Sequence, residues 1–156
     1  MTNDDLEEFN RYQDFISIEL LKQLGWSINI FTSKYYQFEH GESLAGVEIK
    51  YDKKMAETGN LYFELYERHN KTQKFTPSGI NRADNTIFWC IGNYNEAYIF
   101  VKSQLKYLCD NFEKNGFRKV ENDTSIGVII PVSYFEKHKL YVVKKLKFTG
   151  DEKCTK

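Results

Sequence analysis

Apolar side chains recur every three or four positions through Phe9, Tyr12, Ile16, Leu20 and Leu24, which predicts an amphipathic helix over residues 4–24 with Gly25 as its stop. Beyond Gly25 the period falls to two. WSINIF alternates about Ile28 and Ile30 and predicts a strand, and TSKYYQFEHGESLA is a polar connection. GVEIKYD and NLYFELYER predict two further strands, joined by KKMAETG, whose Thr-Gly-Asn end is turn chemistry. TIFWCIG and EAYIFV flank NYN and predict a hairpin, and KSQLKYLCDNFEK a helix closed by Asn115-Gly116. Pro131 within IGVIIPV predicts an edge strand, followed by the lysine-rich KLYVVKKLKF. Helix, several strands, helix and a last strand region predict an α/β fold, a central mixed sheet flanked by helices.

Composition narrows the class. A chain of 156 residues, 16% of them aromatic, can build one core without disulfides or a structural metal, so a single domain over 1–156 is expected. Lys+Arg and Asp+Glu both total 22, leaving no overall field to draw in nucleic acid or an anionic membrane. The charge is uneven, however. Asp4, Asp5, Glu7 and Glu8 open the chain, and Lys137, Lys139, Lys144, Lys145 and Lys147 make 136–156 a basic segment, either a solvated face or a track for phosphates. Cys90, Cys109 and Cys154 stand far apart without a CxxC or Cys/His cluster, so neither a zinc site nor a disulfide framework follows. The acidic start has no secretory character and no apolar run approaches membrane-spanning length. The expected setting is a reducing cytoplasm, with no membrane partner.

The candidate chemistry lies in the carboxylates. Alternation puts Glu48, Lys50 and Asp52 on one face of their strand, and Tyr62, Glu64 and Tyr66 on one face of the next. If those strands are neighbours, Glu48 and Glu64 come together. Two carboxylates at close range repel, and a shared divalent cation relieves the repulsion; hard oxygen ligands suit Mg²⁺ or Mn²⁺. The plainer reading is a solvated sheet face with Glu and Lys in cross-strand ion pairs.

The succession LLKQLGWSI, GVEIKYD, TGNLYFELYER, SGINRADNTIFWCIG and AYIFVKSQLKYL resembles the PD-(D/E)xK, or restriction-endonuclease-like, nuclease superfamily, especially its small phage and bacterial members. The resemblance spans roughly residues 10–108 and implies a restriction-endonuclease-like core, placed at about 4–135. It implies a metal-dependent nucleic-acid phosphodiesterase, with Glu48 and Glu64 holding Mg²⁺ or Mn²⁺, Lys50 as electrostatic helper and Glu19 on the first helix as an outer orienter. Ser78 and Arg82, in the loop before the next strand, are its candidate phosphate contacts.

One position departs from the pattern. The lysine expected two residues after Glu64 is Tyr66, whose ordinary pKa near 10 suits it poorly to activating water. In a second register Glu48-Ile49-Lys50 is itself the (Asp/Glu)-x-Lys, with Glu39 or Glu42 as the preceding acid. The family's partners are nucleic acids, DNA above all, and a homodimer would bring two sites to two strands. The alternative is a nuclease fold retired from catalysis that binds nucleic acid or a protein, such as a host defence factor in a phage-infected cell.

Overall fold

The structure is a computed structural model and describes residues 3–31 and 33–148; Cys154 and the side chains of Phe38 and Glu39 lie outside the described residues. Helix α1 (Asn3–Leu24) is followed by the short α2 (Lys34–His40), strand β1 (Val47–Tyr51), α3 (Met55–Thr58), and strands β2 (Asn60–Glu67) and β3 (Thr76–Pro77). Strands β4 (Phe88–Gly92) and β5 (Glu96–Val101) form the expected antiparallel hairpin, and α4 (Lys102–Asp110) follows directly. Strands β6 (Arg118–Glu121) and β7 (Ser125–Pro131), α5 (Val132–Lys137) and β8 (Val142–Lys147) follow in the described residues.

The fold is α/β, but its strands divide between two sheets. One is mixed, in the order β1-β4-β5-β8, with β1 and β4 parallel and the other pairs antiparallel. The other, β3-β2-β7-β6, is wholly antiparallel. On one face of the mixed sheet, Tyr12, Ile16 and Leu20 of α1 pack with Val47, Ile49, Cys90, Ile99 and Leu146. Its opposite face carries Trp89, Ile91 and Phe100, which meet Leu61, Phe63, Val128 and Ile130 of the second sheet and Phe135 of α5. The mixed sheet is therefore covered on both sides, and its inner face is glued to the second sheet. Phe63 lies 5.9 Å from Phe100 and 6.1 Å from Phe135, both edge-on, the geometry that aromatic quadrupoles favour. Phe63→Ala is expected to cost about 3–5 kcal/mol in denaturant unfolding, because no neighbouring element is free to close the hole.

Three sequence expectations are corrected. WSINIF forms no strand: its alternation is met by packing Trp26, Ile28 and Ile30 against the α1 side of the core, and its pairing is a single bridge between Ile30 and Ser43. Strand β7 is interior, lying between β2 and β6. Pro131 is tolerated there because it is the last residue of the ladder and, at φ −61°, already starts the turn into α5. The strands carrying Glu48 and Glu64 are not sheet neighbours either, since β1 pairs with β4 and β2 with β3 and β7. The basic C-terminal segment contributes β8, whose Leu146 is fully buried.

Candidate functional site

Alternation along β1 sends Val47 and Ile49 toward α1, and therefore Glu48 and Lys50 toward the second sheet. Glu48 has no solvent exposure. An isolated carboxylate there would cost several kcal/mol, so its partners decide whether the fold tolerates it. They are cations and a hydroxyl. Lys50 Nζ stands 2.7 Å and the Arg82 guanidinium 3.3 Å from Glu48 Oε1, while the Thr86 hydroxyl donates to Oε2 at 3.4 Å.

The pairing continues in both directions. Lys50 Nζ also lies 2.9 Å from Glu42 Oε1, and Arg82 Nε donates to Asp84 Oδ2 at 2.8 Å. Lys102, the first residue of α4, reaches Asp84 Oδ1 and the Arg82 carbonyl, both at 2.8 Å. Glu42, Lys50, Glu48, Arg82, Asp84 and Lys102 thus form a chain of alternating sign. Burial raises the Glu42 carboxyl above the usual carboxylate range, against the pull of Lys50. Burial alone would depress the Lys50 ammonium, but the charges of Glu48 and Glu42 outweigh it and hold the group protonated. Burial also opposes ionisation of Asp84, yet hydrogen bonds from Lys102 and Arg82 bring it down to about 2.

Glu64 sits beside a bulge in β2, where the ladder to β7 slips between Glu64 and Tyr66. Its carboxylate accepts a 2.7 Å hydrogen bond from the Ser78 hydroxyl. Burial raises its pKa; the Ser78 bond opposes the shift, and Glu48 and Lys50 are close enough to act on it. Ser78 is aimed by its neighbour. Gly79, at φ +49°, lies so close to β2 that an added Cβ would stand 2.4 Å from the Glu64 carbonyl oxygen. Gly79→Ala is therefore expected to lower the melting temperature and to separate Ser78 from Glu64, checked by thermal unfolding and by the pH titration of Glu64 in NMR.

Between the sheets lies a cleft of ≈ 680 Å³. Lys50, Trp89 and Ile91 line it from the mixed sheet, and Tyr62, Glu64 and Ile129 from the other. Lys50 lies over the Trp89 ring at 5.5 Å, a cation–π contact that also fixes the ammonium.

Glu48, Lys50 and Arg82 thus come together, as do Glu64 and Ser78, but the first group meets the second only across the cleft. Arg82 is committed to two carboxylates rather than held open for a phosphate. Glu19 is not part of the site: α1 covers the other face of the mixed sheet, and Glu19 pairs there with Lys22 at 3.5 Å and Gln23 at 2.7 Å. The reason is the helical wheel, since Glu19 borders the stripe that packs on Val47 and Ile49, opposite Glu48. Lys145 is occupied by Glu96 at 2.7 Å and Glu136 at 3.5 Å, a local pairing within the basic segment.

Sequence reasoning missed Lys102 and the role of Asp84. A lysine at a strand–helix junction carries no signal of burial, and neither does an aspartate in the polar loop before β4. Glu42 was readable only through the second register, which the geometry gathers more tightly than the first. Among the described residues no three His, Cys, Asp or Glu side chains cluster as a ready metal cage. No family model matches the chain, and no curated protein or solved structure is found to be similar to it.

Proposed function

We propose that this protein is a Mg²⁺- or Mn²⁺-dependent phosphodiesterase acting on nucleic acid, built on the Glu48-Ile49-Lys50 register of a PD-(D/E)xK-type site. The observation that carries this reading is the placement of one ammonium between two buried carboxylates. Lys50 Nζ is 2.9 Å from Glu42 and 2.7 Å from Glu48, so these acids are already spaced to share a cation. Their donor set fits a hard divalent ion, which takes one or two carboxylates and fills its shell with water and phosphate oxygens. Glu42 and Glu48, which do not themselves line the cleft, would hold the ion beside Lys50, and Glu64 faces the cleft that Lys50 borders. When bound, the ion would lower the pKa of a water and shield charge building on the phosphate.

The chain's own groups then have distinct tasks. Lys50 borders the cleft and supplies positive charge to a phosphate held there, the part that Tyr66 fills poorly in the other register. Arg82 and Thr86 fix the Glu48 carboxylate, so its orientation is set before any ligand arrives. Ser78 does the same for Glu64.

A second reading rests on the complete burial of Glu48, whose charge is already balanced by Lys50 and Arg82. A carboxylate so neutralised serves a scaffold that binds nucleic acid or a protein without cutting it. One experiment separates the two. Incubated with labelled single- and double-stranded DNA and RNA in Mn²⁺, the wild type is expected to cut at least one of them, and Glu42→Gln and Glu64→Gln to lose that activity by about a hundredfold or more. Cleavage by Glu42→Gln at the wild-type rate would remove the two-carboxylate assignment. No cleavage by the wild type in Mn²⁺ would favour the scaffold reading.

A further inference from the structure

The two sheets have four outer strands among the described residues, β1 and β8 in one and β3 and β6 in the other. An outer strand offers unpaired backbone to any chain that can match it, and three of these four are closed by devices of their own. In β1 the N–H groups of Val47 and Ile49 are taken by the Ser43 hydroxyl at 3.0 Å and the Glu42 carboxylate at 3.4 Å. Strand β3 is Thr76–Pro77, and Pro77 has no N–H to give. Strand β8 carries Lys144, Lys145 and Lys147 and no acid, so a second β8 would meet it lysine to lysine. Strand β6 has no such guard. The turn into β7 closes with the Asn122 N–H donating to the Ser125 carbonyl at 2.8 Å. By alternation the backbone groups of Val120 then face β7, while those of Lys119 and Glu121 point away from it, toward no further strand among the described residues. Both residues are exposed, and neither forms an ion pair with a described residue; Lys119 rests over the Phe112 ring at 5.8 Å.

We infer that β6 pairs antiparallel with β6 of a second copy of this chain, with Lys119 opposite Glu121 in both directions about a two-fold axis through Val120. Hydrogen-bond parity and charge select this register independently. Only residues whose backbone points outward can exchange bonds, so Lys119 and Glu121 must each face a Lys119 or a Glu121. Lys119 opposite Lys119, or Glu121 opposite Glu121, sets like charges together; Lys119 opposite Glu121 makes a cross-strand ion pair on each side of the axis. A patch that complements itself in this way is what an isologous two-fold contact requires. On the other face of the strand Val120 meets Val120 and Arg118 meets the neutral Asn122, so no like charges are opposed there. The ladder stops short of Phe117, whose N–H already donates to the Phe112 carbonyl at 2.8 Å. So short a contact makes a weak, concentration-dependent dimer. Arg118 and Val120 also line the cleft, so the pairing sets two clefts on one face of a continuous sheet, whatever the cleft binds.

The test is sedimentation equilibrium over a concentration series from about 1 μM to about 1 mM, the span in which weak pairing populates a dimer. The wild type is expected to move toward twice the monomer mass at the upper end. Lys119→Glu and Glu121→Lys each set like charges opposite one another and should weaken association by about tenfold or more, with melting temperatures unchanged because both positions are exposed. Mixed in equal amounts, the two variants are complementary again, and association should return. A second measurement needs no substitution: in the wild type the amides of Lys119 and Glu121 should exchange more slowly at high than at low concentration, while that of Val120, which faces β7, keeps its rate. A wild type monomeric throughout the series, a dimer indifferent to either charge reversal, a mixture that stays monomeric, or Lys119 and Glu121 amides that ignore concentration would each overturn the inference.

Discussion

Lys50→Met is expected to lower the melting temperature by roughly 10 °C, and millimolar Mn²⁺ is expected to restore part of that loss. The substitution keeps the alkyl stem against Trp89 but removes the cation between Glu42 and Glu48. Two buried carboxylates then face each other with Arg82 as the remaining cation on Glu48, and breaking a buried pair in this way costs about 3–5 kcal/mol. The Glu42 carboxyl, already raised by burial in the wild type, rises further. An acid whose folded pKa exceeds its unfolded value binds more protons when folded, so the variant gains stability as pH falls toward 4 and loses it as pH rises. A divalent ion offers the alternative to protonation. Differential scanning fluorimetry from pH 4 to 8, with and without Mn²⁺, reads both effects; a variant whose melting temperature ignores Mn²⁺ at pH 8 would show that the two acids do not form a cation-holding pair.

The second large effect is expected at Asp84. With no side-chain exposure, it joins Arg82 to Lys102, and Asp84→Asn leaves the nearly buried Lys102 without its counter-charge and Arg82 with Glu48 alone. We expect a loss of about 3–5 kcal/mol at neutral pH, with Arg82 less firmly held against Glu48. The pH dependence has the opposite sign to that of Glu42. The folded pKa of Asp84, about 2, lies below the ordinary 3.8, so the unfolded chain binds the proton first. Its contribution, about 2 kcal/mol, is present in full above about pH 4 and is lost as pH falls through 2. Acid unfolding of the wild type should therefore steepen below pH 4, and Asp84→Asn should lack that component. Identical acid limbs in the two proteins would show that the Arg82–Asp84–Lys102 link contributes no stability.

Much of the local structure was legible in the sequence, because it depends on periodicity alone. The stripe from Phe9 to Leu24 forms α1, and the two apolar runs about NYN form the β4–β5 hairpin. Periodicity does not say which strands meet. β1 finds its partner in β4, across an intervening strand pair and loop, and β2 joins β7 near the other end of the chain. Those pairings are decided by which apolar faces cover which, and Phe63 against Phe100 was invisible in either segment. The candidate site shows the same division. Glu48 and Lys50 could be placed on a common face from spacing, but their burial, and the role of Lys102 as a distant counter-charge, follow from the tertiary packing. Glu64 was expected beside Glu48 in a single sheet. The structure sets it across a cleft, which turns an adjacency into two walls.

The outer boundary of the mixed sheet has a consequence for life at high concentration. β8 is its last strand, bonded to β5 on one side and, among the described residues, to no further strand on the other. Its unpaired backbone would invite another chain to extend the ladder, but Lys144 and Lys147 both project into solvent there. A visiting strand would have to strip water from two ammonium groups to settle, which discourages fibrous self-association. The same lysines that read as a track for phosphates can thus act as guards against aggregation.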